Sequence, residues 1–241
     1  MKPKSISFVL PAYNEEENIE KAVRAVIAAA EGLDLADYEV IVVDDGSRDR
    51  TPEILERLRL ENPHVRPIRQ PRNLGYADAL KAGFTSARLP LVFYTDSDLQ
   101  FDVREVKNLI PASEDYDIVC GFRIYRYDPL TRLFLAWGYN LVARTIFRLR
   151  VRDIDCAFKL FRREVFDVIE IRSKKFFVDT EILAKARHHG FRMTEIGVRH
   201  YPRLGGRSTV RASHVASTLK ELTKMWLEIY LGVGRKGAAS K

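Results

Sequence analysis

Two aspartates that lie two residues apart form the sharpest chemical signal in this sequence. Asp96 and Asp98 directly follow the apolar run of residues 91–94, and Gln100 lies two residues further on. Carboxylate and amide oxygens at this spacing can coordinate a hard divalent cation that also bridges the oxygens of a diphosphate. Two exposed loop aspartates are nevertheless common, so the surrounding segments have to support this interpretation.

Three further polar turns follow apolar segments nearer the amino terminus. They read Pro11-Ala12-Tyr13-Asn14-Glu15, then Val43-Asp44-Asp45-Gly46-Ser47, then Asn73-Leu74-Gly75-Tyr76-Ala77. Tyr13 offers a ring face, Glu15 and Asp45 offer acceptor oxygens, and Gly46 permits a tight turn beside a ligand. Asn14 and Asp49 are more simply interpreted as helix caps.

The elements that must position these turns alternate between strands and helices. Nearly continuous apolar runs at residues 6–10, 40–43, 65–68 and 91–94 predict strands that are covered on both faces. Helical spacing connects them over residues 16–30, 52–60 and 76–87. This alternation predicts an α/β fold with a doubly wound, mostly parallel sheet, in which ligands bind at the carboxyl ends of the strands. The polar turns lie at those ends.

Beyond Gly121 the pattern changes. An amphipathic segment at residues 130–149 predicts a helix that either packs in the core or lies at a membrane surface. Strand-like runs at 157–161 and 193–198 flank a predicted helix at 179–188, and a final amphipathic helix is expected at about 214–230. The Gly, Lys, Ala and Ser residues of the segment 233–241 predict a disordered tail.

Charge divides the chain into unlike halves. Residues 1–120 contain 15 Lys or Arg and 22 Asp or Glu, whereas residues 121–241 contain 25 and 11. An acidic half can hold a divalent cation, and a basic half can bind phosphates, anionic lipid headgroups or nucleic acid. No recognised nucleic-acid motif is present, so a non-catalytic nucleic-acid-binding module is the less favoured alternative and no nucleic-acid partner is expected.

The cysteine content and the hydropathy indicate the cellular setting. Cys120 and Cys156 form no CxxC or Cys/His cluster, which favours a reducing, cytoplasmic setting without a disulfide framework or a zinc site. No amino-terminal signal peptide is evident, and no window reaches the roughly 18 to 20 apolar residues of a membrane-spanning helix. We therefore expect a protein that is peripheral on the cytoplasmic face of a membrane.

The four polar turns together resemble those of the family 2 glycosyltransferases, in order and in spacing, through about residue 120. That family has the GT-A fold of nucleotide-diphospho-sugar transferases. The resemblance implies an inverting, metal-dependent transferase and assigns nucleotide binding to Pro11, Tyr13, Glu15, Val43, Asp45, Asp96 and Ser97. It assigns Mg²⁺ or Mn²⁺ to Asp96, Asp98 and Gln100, with Asp98 as the principal catalytic residue.

The basic half is similar to the polyprenyl-phosphate branch of the same family, which includes dolichol-phosphate mannose synthases and undecaprenyl-phosphate glucosyl- or aminoarabinosyltransferases. The segments concerned are Gly121-Phe122-Arg123, Arg132, the stretch from Asp155 to Arg163, and the stretch from Arg203 to Ser208. The resemblance implies that Arg123 and Arg132 bind the acceptor phosphate and that Arg203 binds the donor diphosphate, with Arg123 and Arg203 counted as catalytic. Cys156-Ala157 departs from the small Ser-Gly-like pair of many members, which affects the acceptor contacts near Asp155.

Acid–base chemistry favours a phosphate acceptor. A hydroxyl acceptor generally needs a carboxylate base, whereas a phosphate is already ionised and needs cations to hold it in line. The alternative that stays open is a saccharide or protein hydroxyl as the acceptor, with Asp179 or Glu181 as the base. A nucleotidyltransferase is disfavoured because no glycine-rich triphosphate loop follows the first strand.

The expected partners follow from this resemblance. The donor is a nucleotide-diphosphate sugar, either GDP-mannose or UDP-glucose, and the acceptor is a polyprenyl phosphate lipid at a membrane surface. We expect a GT-A catalytic domain at residues 1–212, with a nucleotide- and metal-binding half at 1–120 and an acceptor half at 121–212. A membrane-proximal helix at 213–232 follows, and a separate membrane-anchoring partner is expected as one route to the bilayer.

Overall fold

The computed structural model describes residues 4–125, 127, 130–173, 177–202 and 215–232. Within the helices, the side chains of residues 130–132 and 215–218 are outside this description.

Seven strands and seven α-helices make up the described chain. The strands are β1 (Lys4–Ala12), β2 (Leu35–Asp44), β3 (Val65–Arg69), β4 (Leu91–Thr95), β5 (Ile118–Arg123), β6 (Phe158–Arg162) and β7 (Met193–Val198). The helices are α1 (Ile19–Glu31), α2 (Thr51–Glu61), α3 (Tyr76–Ser86), α4 (Leu130–Phe147), α5 (Val165–Val168), α6 (Val178–His188) and α7 (Val215–Leu231). Two short 3₁₀ helices, Val103–Asn108 and Pro111–Glu114, lie between β4 and β5.

All seven strands form one sheet, in the order β3-β2-β1-β4-β6-β5-β7. The pairs β1–β2, β1–β4, β2–β3 and β5–β7 are parallel, and only the two pairs that include β6 are antiparallel. Because β6 runs opposite to both β4 and β5, the carboxyl ends of β1, β2, β4 and β5 lie at one edge of the sheet. The predicted mostly parallel, doubly wound α/β fold is confirmed.

The strands β1, β2 and β4 were predictable because their central residues are buried on both faces, whereas β3 is buried only at Val65. Phe8, Val40 to Val43 and Phe93 have no exposed surface. The strand β5 was not anticipated, because its apolar run is only Ile118-Val119-Cys120 before a glycine. Its pairing with β6 and β7 on either side, rather than its own pattern, fixes it as a strand.

The two amphipathic helices of the second half differ in what they cover. α7 buries Leu222, Met225 and Ile229, and it packs against α6 and α4. α4 buries Ala143 and Phe147 but leaves several large apolar side chains exposed. Among the described helices, none is both long enough and apolar enough to cross a bilayer.

Candidate active site

The polar turns that follow β1, β2 and β4 meet at the carboxyl edge of the sheet. Pro11 of β1 pairs in register with Val43 of β2, so these two predicted nucleotide-binding residues are neighbours. The Ser97 hydroxyl, which is buried, donates to the Pro11 carbonyl oxygen at 2.9 Å and ties the end of β4 to the end of β1. The sheet topology thus brings three of the predicted segments together.

The turns after β1 and β2 interlock through hydrogen bonds. The Asn14 amide donates to Ser47 Oγ, the Glu15 amide donates to Thr51 Oγ1, and the Arg48 amide donates to Asn14 Oδ1, each at 2.9 Å. Asp49 precedes Arg50, the N-cap residue of α2, and accepts from the amides of Thr51 and Glu16, whereas Asn14 joins the two turns instead of capping a helix. A cleft of about 700 Å³ opens here, and the Tyr13 ring beside it is 37% exposed.

Asp45 fixes the third turn to the second. Its two carboxylate oxygens accept from the backbone amides of Leu74 and Gly75, at 2.7 and 2.9 Å. Burial raises the pKa of Asp45, and these two amides oppose the rise. Gly46, at φ +69°, lies so close to this turn that a Cβ atom would be 2.4 Å from the Arg72 carbonyl carbon. Any contact of Asp45 with a base or ribose stays a prediction.

Asp96 and Asp98 follow β4 at the centre of this edge. The Tyr76 hydroxyl, at the start of α3, donates to Asp96 Oδ1 at 3.0 Å. Burial raises the pKa of Asp96 to about 7, and the negative charge of Asp98 contributes to the rise. Two carboxylates that disfavour each other's ionisation in a buried place form a site that a cation stabilises.

The residues present fit a hard divalent cation. Asp98 Oδ1 accepts from the backbone N–H of Gln100 at 3.2 Å. The side-chain Nε2 of Gln100 donates to the Tyr201 carbonyl oxygen, so the side-chain oxygen Oε1 can act as an acceptor or a metal ligand. Nowhere in the described parts of the chain do three or more His, Cys, Asp or Glu side chains cluster as metal ligands. An ion held here would complete its shell with diphosphate and water oxygens, as Mg²⁺ commonly does.

A buried ionic cluster lies directly behind the aspartate pair. The Lys159 ammonium of β6, which has no exposed surface, donates to Asp179 Oδ1 at 2.7 Å, to the Tyr94 hydroxyl at 3.2 Å and to the Cys156 carbonyl at 2.5 Å. The Tyr94 hydroxyl also donates to Asp179. Burial alone would lower the pKa of Lys159, but the charge of Asp179 raises it above its ordinary value. Asp179 is therefore the counterion of a buried lysine.

Glu181 also has its hydrogen-bond and ion-pair partners within the protein. It is buried, and it accepts from the backbone amides of Arg172 and Ser173 and from the Lys185 ammonium. Both carboxylates considered as bases for a hydroxyl acceptor thus have partners within the protein.

Arg123, at the end of β5, forms a fork-to-fork ion pair with Asp153. Nε donates to Oδ2 at 2.7 Å and Nη2 donates to Oδ1 at 2.6 Å, with both side chains about nine-tenths buried. Although burial opposes it, the hydrogen bond with Asp153 raises the pKa of Arg123. The guanidinium is therefore a fixed, permanently charged group at the same edge of the sheet as Asp96.

Asp155, two residues beyond Asp153, is an unusual acid. Its Oδ1 atom is buried and has no hydrogen-bond partner among the described residues. Burial and the nearby charge of Asp179 raise the pKa of Asp155 to about 7. The chain thus places a carboxyl with a raised pKa directly before Cys156.

Two of the predicted arginines lack a described side chain. Arg132 lies on α4 with only its backbone described, and Arg203 lies outside the described residues. Their assignments to the acceptor phosphate and to the donor diphosphate stay predictions.

Sequence reasoning missed the partners that hold the predicted residues in place. Tyr76 was part of a quoted motif without a role, and Asp153 and Lys159 were not singled out for any role. Each acts through a contact between residues distant in sequence: 20 positions for Tyr76 with Asp96, and 30 for Arg123 with Asp153. One sequence signal could have indicated a buried ion pair: a lysine within an otherwise apolar strand, Phe158-Lys159-Leu160-Phe161.

Comparison with known proteins agrees with this geometry. The model of Glycosyl transferase family 2 matches residues 7–169. The chain is 37% identical over 208 residues to glycosyltransferase AglD of Haloferax volcanii, which covers 82% of this chain and 33% of that protein. It is 33% identical over 220 residues to an undecaprenyl-phosphate 4-deoxy-4-formamido-L-arabinose transferase of Pseudomonas fluorescens, covering 90% of this chain and 63% of that protein. The chain therefore spans about one third of the length of the Haloferax volcanii protein and less than two thirds of the length of the Pseudomonas fluorescens protein.

Solved structures share the fold. Glucosyl-3-phosphoglycerate synthase of Mycobacterium tuberculosis in complex with UDP superposes with a TM-score of 0.67 at 20% identity, over 93% of this chain and 79% of that one. The same enzyme in complex with Mn²⁺ and UDP-glucose gives a TM-score of 0.66 at 19% identity, over 94% and 76%. This likeness confirms the predicted GT-A fold.

Proposed function

The chain belongs to glycosyl transferase family 2, and from that premise we propose that it transfers a hexose from a nucleotide-diphosphate sugar to the phosphate of a polyprenyl phosphate. One observation carries the choice of acceptor: Asp179 and Glu181, the candidate bases for a hydroxyl acceptor, are both buried and bound to cationic or amide donors of the protein. A phosphate acceptor needs no such base. The name of the relative from Pseudomonas fluorescens, an undecaprenyl-phosphate transferase, supports the same acceptor class.

The donor binds at the carboxyl ends of β1, β2 and β4. The Tyr13 ring stacks on the base, Pro11 and Val43 line the floor beneath the nucleoside, and Glu15 and Asp45 supply acceptor oxygens. Asp96, Ser97 and Asp98 lie where the sugar-diphosphate ends, since Ser97 fixes this turn against Pro11. The open cleft between the first two turns gives the nucleoside its entrance.

Asp96, Asp98 and Gln100 hold Mg²⁺ or Mn²⁺ in this proposal. When bound, such an ion neutralises the diphosphate and the charge that develops on the leaving nucleoside diphosphate. Burial and Asp98 raise the pKa of Asp96 to about 7, and a cation bound beside it would favour its ionised form. The related synthase of Mycobacterium tuberculosis has been crystallised with Mn²⁺ and UDP-glucose, which supports a divalent cation here.

The acceptor phosphate is held by cations rather than activated by a base. Nε and Nη2 of Arg123 are bound to Asp153, and within the described residues Nη1 makes no hydrogen bond, so it can donate to a phosphate oxygen. From the sequence resemblance we assign Arg132 to the same phosphate and Arg203 to the donor diphosphate. Asp153 acts as a positioning residue, because it fixes the guanidinium before the lipid arrives.

Transfer is a single in-line displacement. A phosphate oxygen of the lipid attacks the anomeric carbon and forms the new glycosidic C–O bond, while the bond from that carbon to the β-phosphate oxygen breaks. The electron pair leaves with the nucleoside diphosphate. The configuration at the anomeric carbon inverts, and no covalent enzyme intermediate forms.

The finer identities are part of the proposal. GDP-mannose and UDP-glucose are the two donors that we propose, and dolichyl or undecaprenyl phosphate is the acceptor. The protein works at the cytoplasmic face of a membrane, where nucleotide sugars are made, and a membrane-anchoring partner holds it there or it docks directly.

The test is transfer of labelled hexose into an organic-extractable lipid. Purified protein is incubated with GDP-mannose or UDP-glucose, polyprenyl phosphate, and Mg²⁺ or Mn²⁺. Label should enter the lipid phase with one donor, and Asp98→Asn should abolish transfer while the protein stays folded. Asp102→Asn is the matched control, since Asp102 pairs with Arg104 and caps a 3₁₀ helix outside the site. Transfer to a saccharide but never to the lipid would overturn the proposal.

A further inference from the structure

We infer that the exposed side of α4 is the surface by which this protein docks on an anionic lipid bilayer. We call this surface the α4 face and define it by Phe134, Leu135, Trp137 and Leu141. The inference rests on the proposed function to the extent that a lipid acceptor brings the protein to a bilayer. Everything else in it comes from the exposure, anchoring and charge of this helix.

The α4 face is a stripe of large apolar side chains in solvent. Phe134 is 70% exposed, Trp137 60% and Leu141 48%. Their spacing of three and four residues puts them on one side of the helix, and the Phe134 and Trp137 rings lie 5.9 Å apart. Large contiguous apolar patches of this kind mark interaction surfaces.

The helix is firmly attached by its other side, so the exposure is not a sign of a loose segment. Ala143 and Phe147 have no exposed surface. Asn140 Oδ1 accepts from the Ile154 amide at 2.8 Å, and the Tyr139 hydroxyl is hydrogen-bonded to Thr180 Oγ1 at 2.5 Å. The α4 face is thus presented on a rigid support.

Charge selects an anionic lipid surface as the occupant. Residues 130–150 contain four arginines and no acidic residue. Arg144, Arg148 and Arg150, at the carboxyl end of α4, have no ion pair with a carboxylate in the described part of the chain. An apolar stripe with tryptophan and unpaired arginines beside it matches the headgroup region of an anionic bilayer, whereas a second copy of the chain would bring like charges together.

Further large apolar and aromatic side chains are exposed next to Arg123 in the sequence. Ile124, Tyr125 and Tyr127 follow directly after Arg123 and are 50%, 71% and 65% exposed. Aromatic side chains of this type favour the membrane–water interface. A bilayer that contacts these residues lies within a few residues of the arginine proposed to bind the lipid phosphate.

Among the described side chains, α7 offers a less exposed apolar stripe than α4. Of the apolar residues at helical spacing along α7, Leu222, Met225 and Ile229 are buried, Trp226 is partly buried and Leu219 is exposed. Two amphipathic segments, 130–149 and 215–230, were candidates for contact with the bilayer, and this difference favours α4.

The two tryptophans of the chain make this inference directly measurable, because one lies on α4 and the other on α7. Trp226→Phe leaves Trp137 as the only fluorophore, and Trp137→Phe leaves Trp226. Each variant is mixed with phosphatidylglycerol vesicles that contain brominated acyl chains and no polyprenyl phosphate. We expect the emission of Trp137 to shift to the blue and to be quenched, and the emission of Trp226 to stay unchanged. Quenching of Trp226 alone would overturn the inference.

A second measurement uses vesicle sedimentation. Phe134→Ser/Trp137→Ser should weaken binding to the same vesicles by at least about tenfold, since two large apolar side chains no longer enter the interface. Leu60→Ser is the matched control, because Leu60 is 72% exposed on α2 in the acidic half, and it should leave binding unchanged. Unchanged binding in the double variant would refute the inference. So would a vesicle-independent dimer of the wild type that the double variant loses, because the occupant would then be a second copy.

These vesicles contain neither donor nor acceptor, so the outcome separates the two proposals. Vesicle binding without transfer to polyprenyl phosphate would support the docking surface and refute the proposed acceptor. Transfer to a detergent-dispersed polyprenyl phosphate without vesicle binding would support the proposed function and refute the docking surface.

Discussion

Replacing Lys159 by methionine tests the buried cluster that separates the two acceptor chemistries. Methionine keeps the length and apolar stem of the side chain but removes the ammonium group, which bonds to Asp179, Tyr94 and a backbone carbonyl. Asp179 is about 95% buried and would be left without its cation. Breaking a buried ion pair by removing one partner costs about 3 to 5 kcal/mol, so we expect Lys159→Met to lower the free energy of unfolding by about 4 kcal/mol.

Urea unfolding, followed by circular dichroism, measures this loss. The matched variant Asp179→Asn leaves a buried ammonium without its anion and should cost a similar amount. If the two groups serve mainly each other, the double variant Lys159→Met/Asp179→Asn should be more stable than the sum of the two losses predicts. We expect the coupling free energy to be at least about 2 kcal/mol.

Two results would refute this reasoning. Additive losses in the double variant would show that Asp179 and Lys159 do not depend on each other. An Asp179→Asn protein that keeps full stability yet loses all transferase activity would show that Asp179 acts as a base, and the hydroxyl-acceptor mechanism would replace the one proposed.

Three further predictions follow from single sites. The pKa of Asp155 is raised from its ordinary value of 3.8 to about 7, so the native state binds the extra proton between these values and wild-type stability falls as pH rises from about 4 to about 7. Asp155→Asn should therefore raise the melting temperature at pH 8 more than at pH 4.5. The difference should correspond to about 1 to 2 kcal/mol of stability, because the side chain is only partly shielded from water. An equal change in melting temperature at both pH values would contradict the burial argument. Asp153→Asn removes the anion that orients Arg123, and steady-state kinetics should give a KM for polyprenyl phosphate raised about tenfold or more with little change in donor affinity; an effect on donor affinity alone would contradict the positioning role. Gly46→Ala forces a Cβ to within 2.4 Å of backbone at a positive φ, so it should lower the free energy of unfolding by at least about 2 kcal/mol in urea titrations and weaken donor binding; a stable variant with normal donor affinity would contradict the close approach.

Much of the donor half follows from local pattern. The strands β1, β2 and β4 are buried on both faces toward their carboxyl ends, and each ends in a polar turn, so one rule about parallel sheets brings Pro11, Asp45 and Asp96 together. The rule works because pairing between neighbouring parallel strands leaves little freedom in where the turns lie.

The acceptor half follows less from local pattern because its contacts are long-range. β5 is too short an apolar run to stand out, and it is a strand because β6 and β7 pair with it. The ion pair of Arg123 with Asp153 and the burial of Lys159 depend on how β5, β6 and α6 pack together. Periodicity also could not tell which amphipathic helix is covered: α7 packs its stripe inward, whereas α4 leaves Phe134 and Trp137 in solvent.

The most direct test of the central claim compares two acceptors that differ only in the phosphate. Polyprenyl phosphate and the corresponding polyprenol, each dispersed in the same detergent, are offered to one protein preparation with the active labelled donor and Mn²⁺. Because Asp179 and Glu181, the two candidate bases, are both bound to donors within the protein, we expect glycosylation of the phosphate and no glycosylation of the alcohol above the level of the Asp98→Asn variant. Comparable transfer to the alcohol would contradict the account, since some carboxylate of this site would then have to accept the hydroxyl proton.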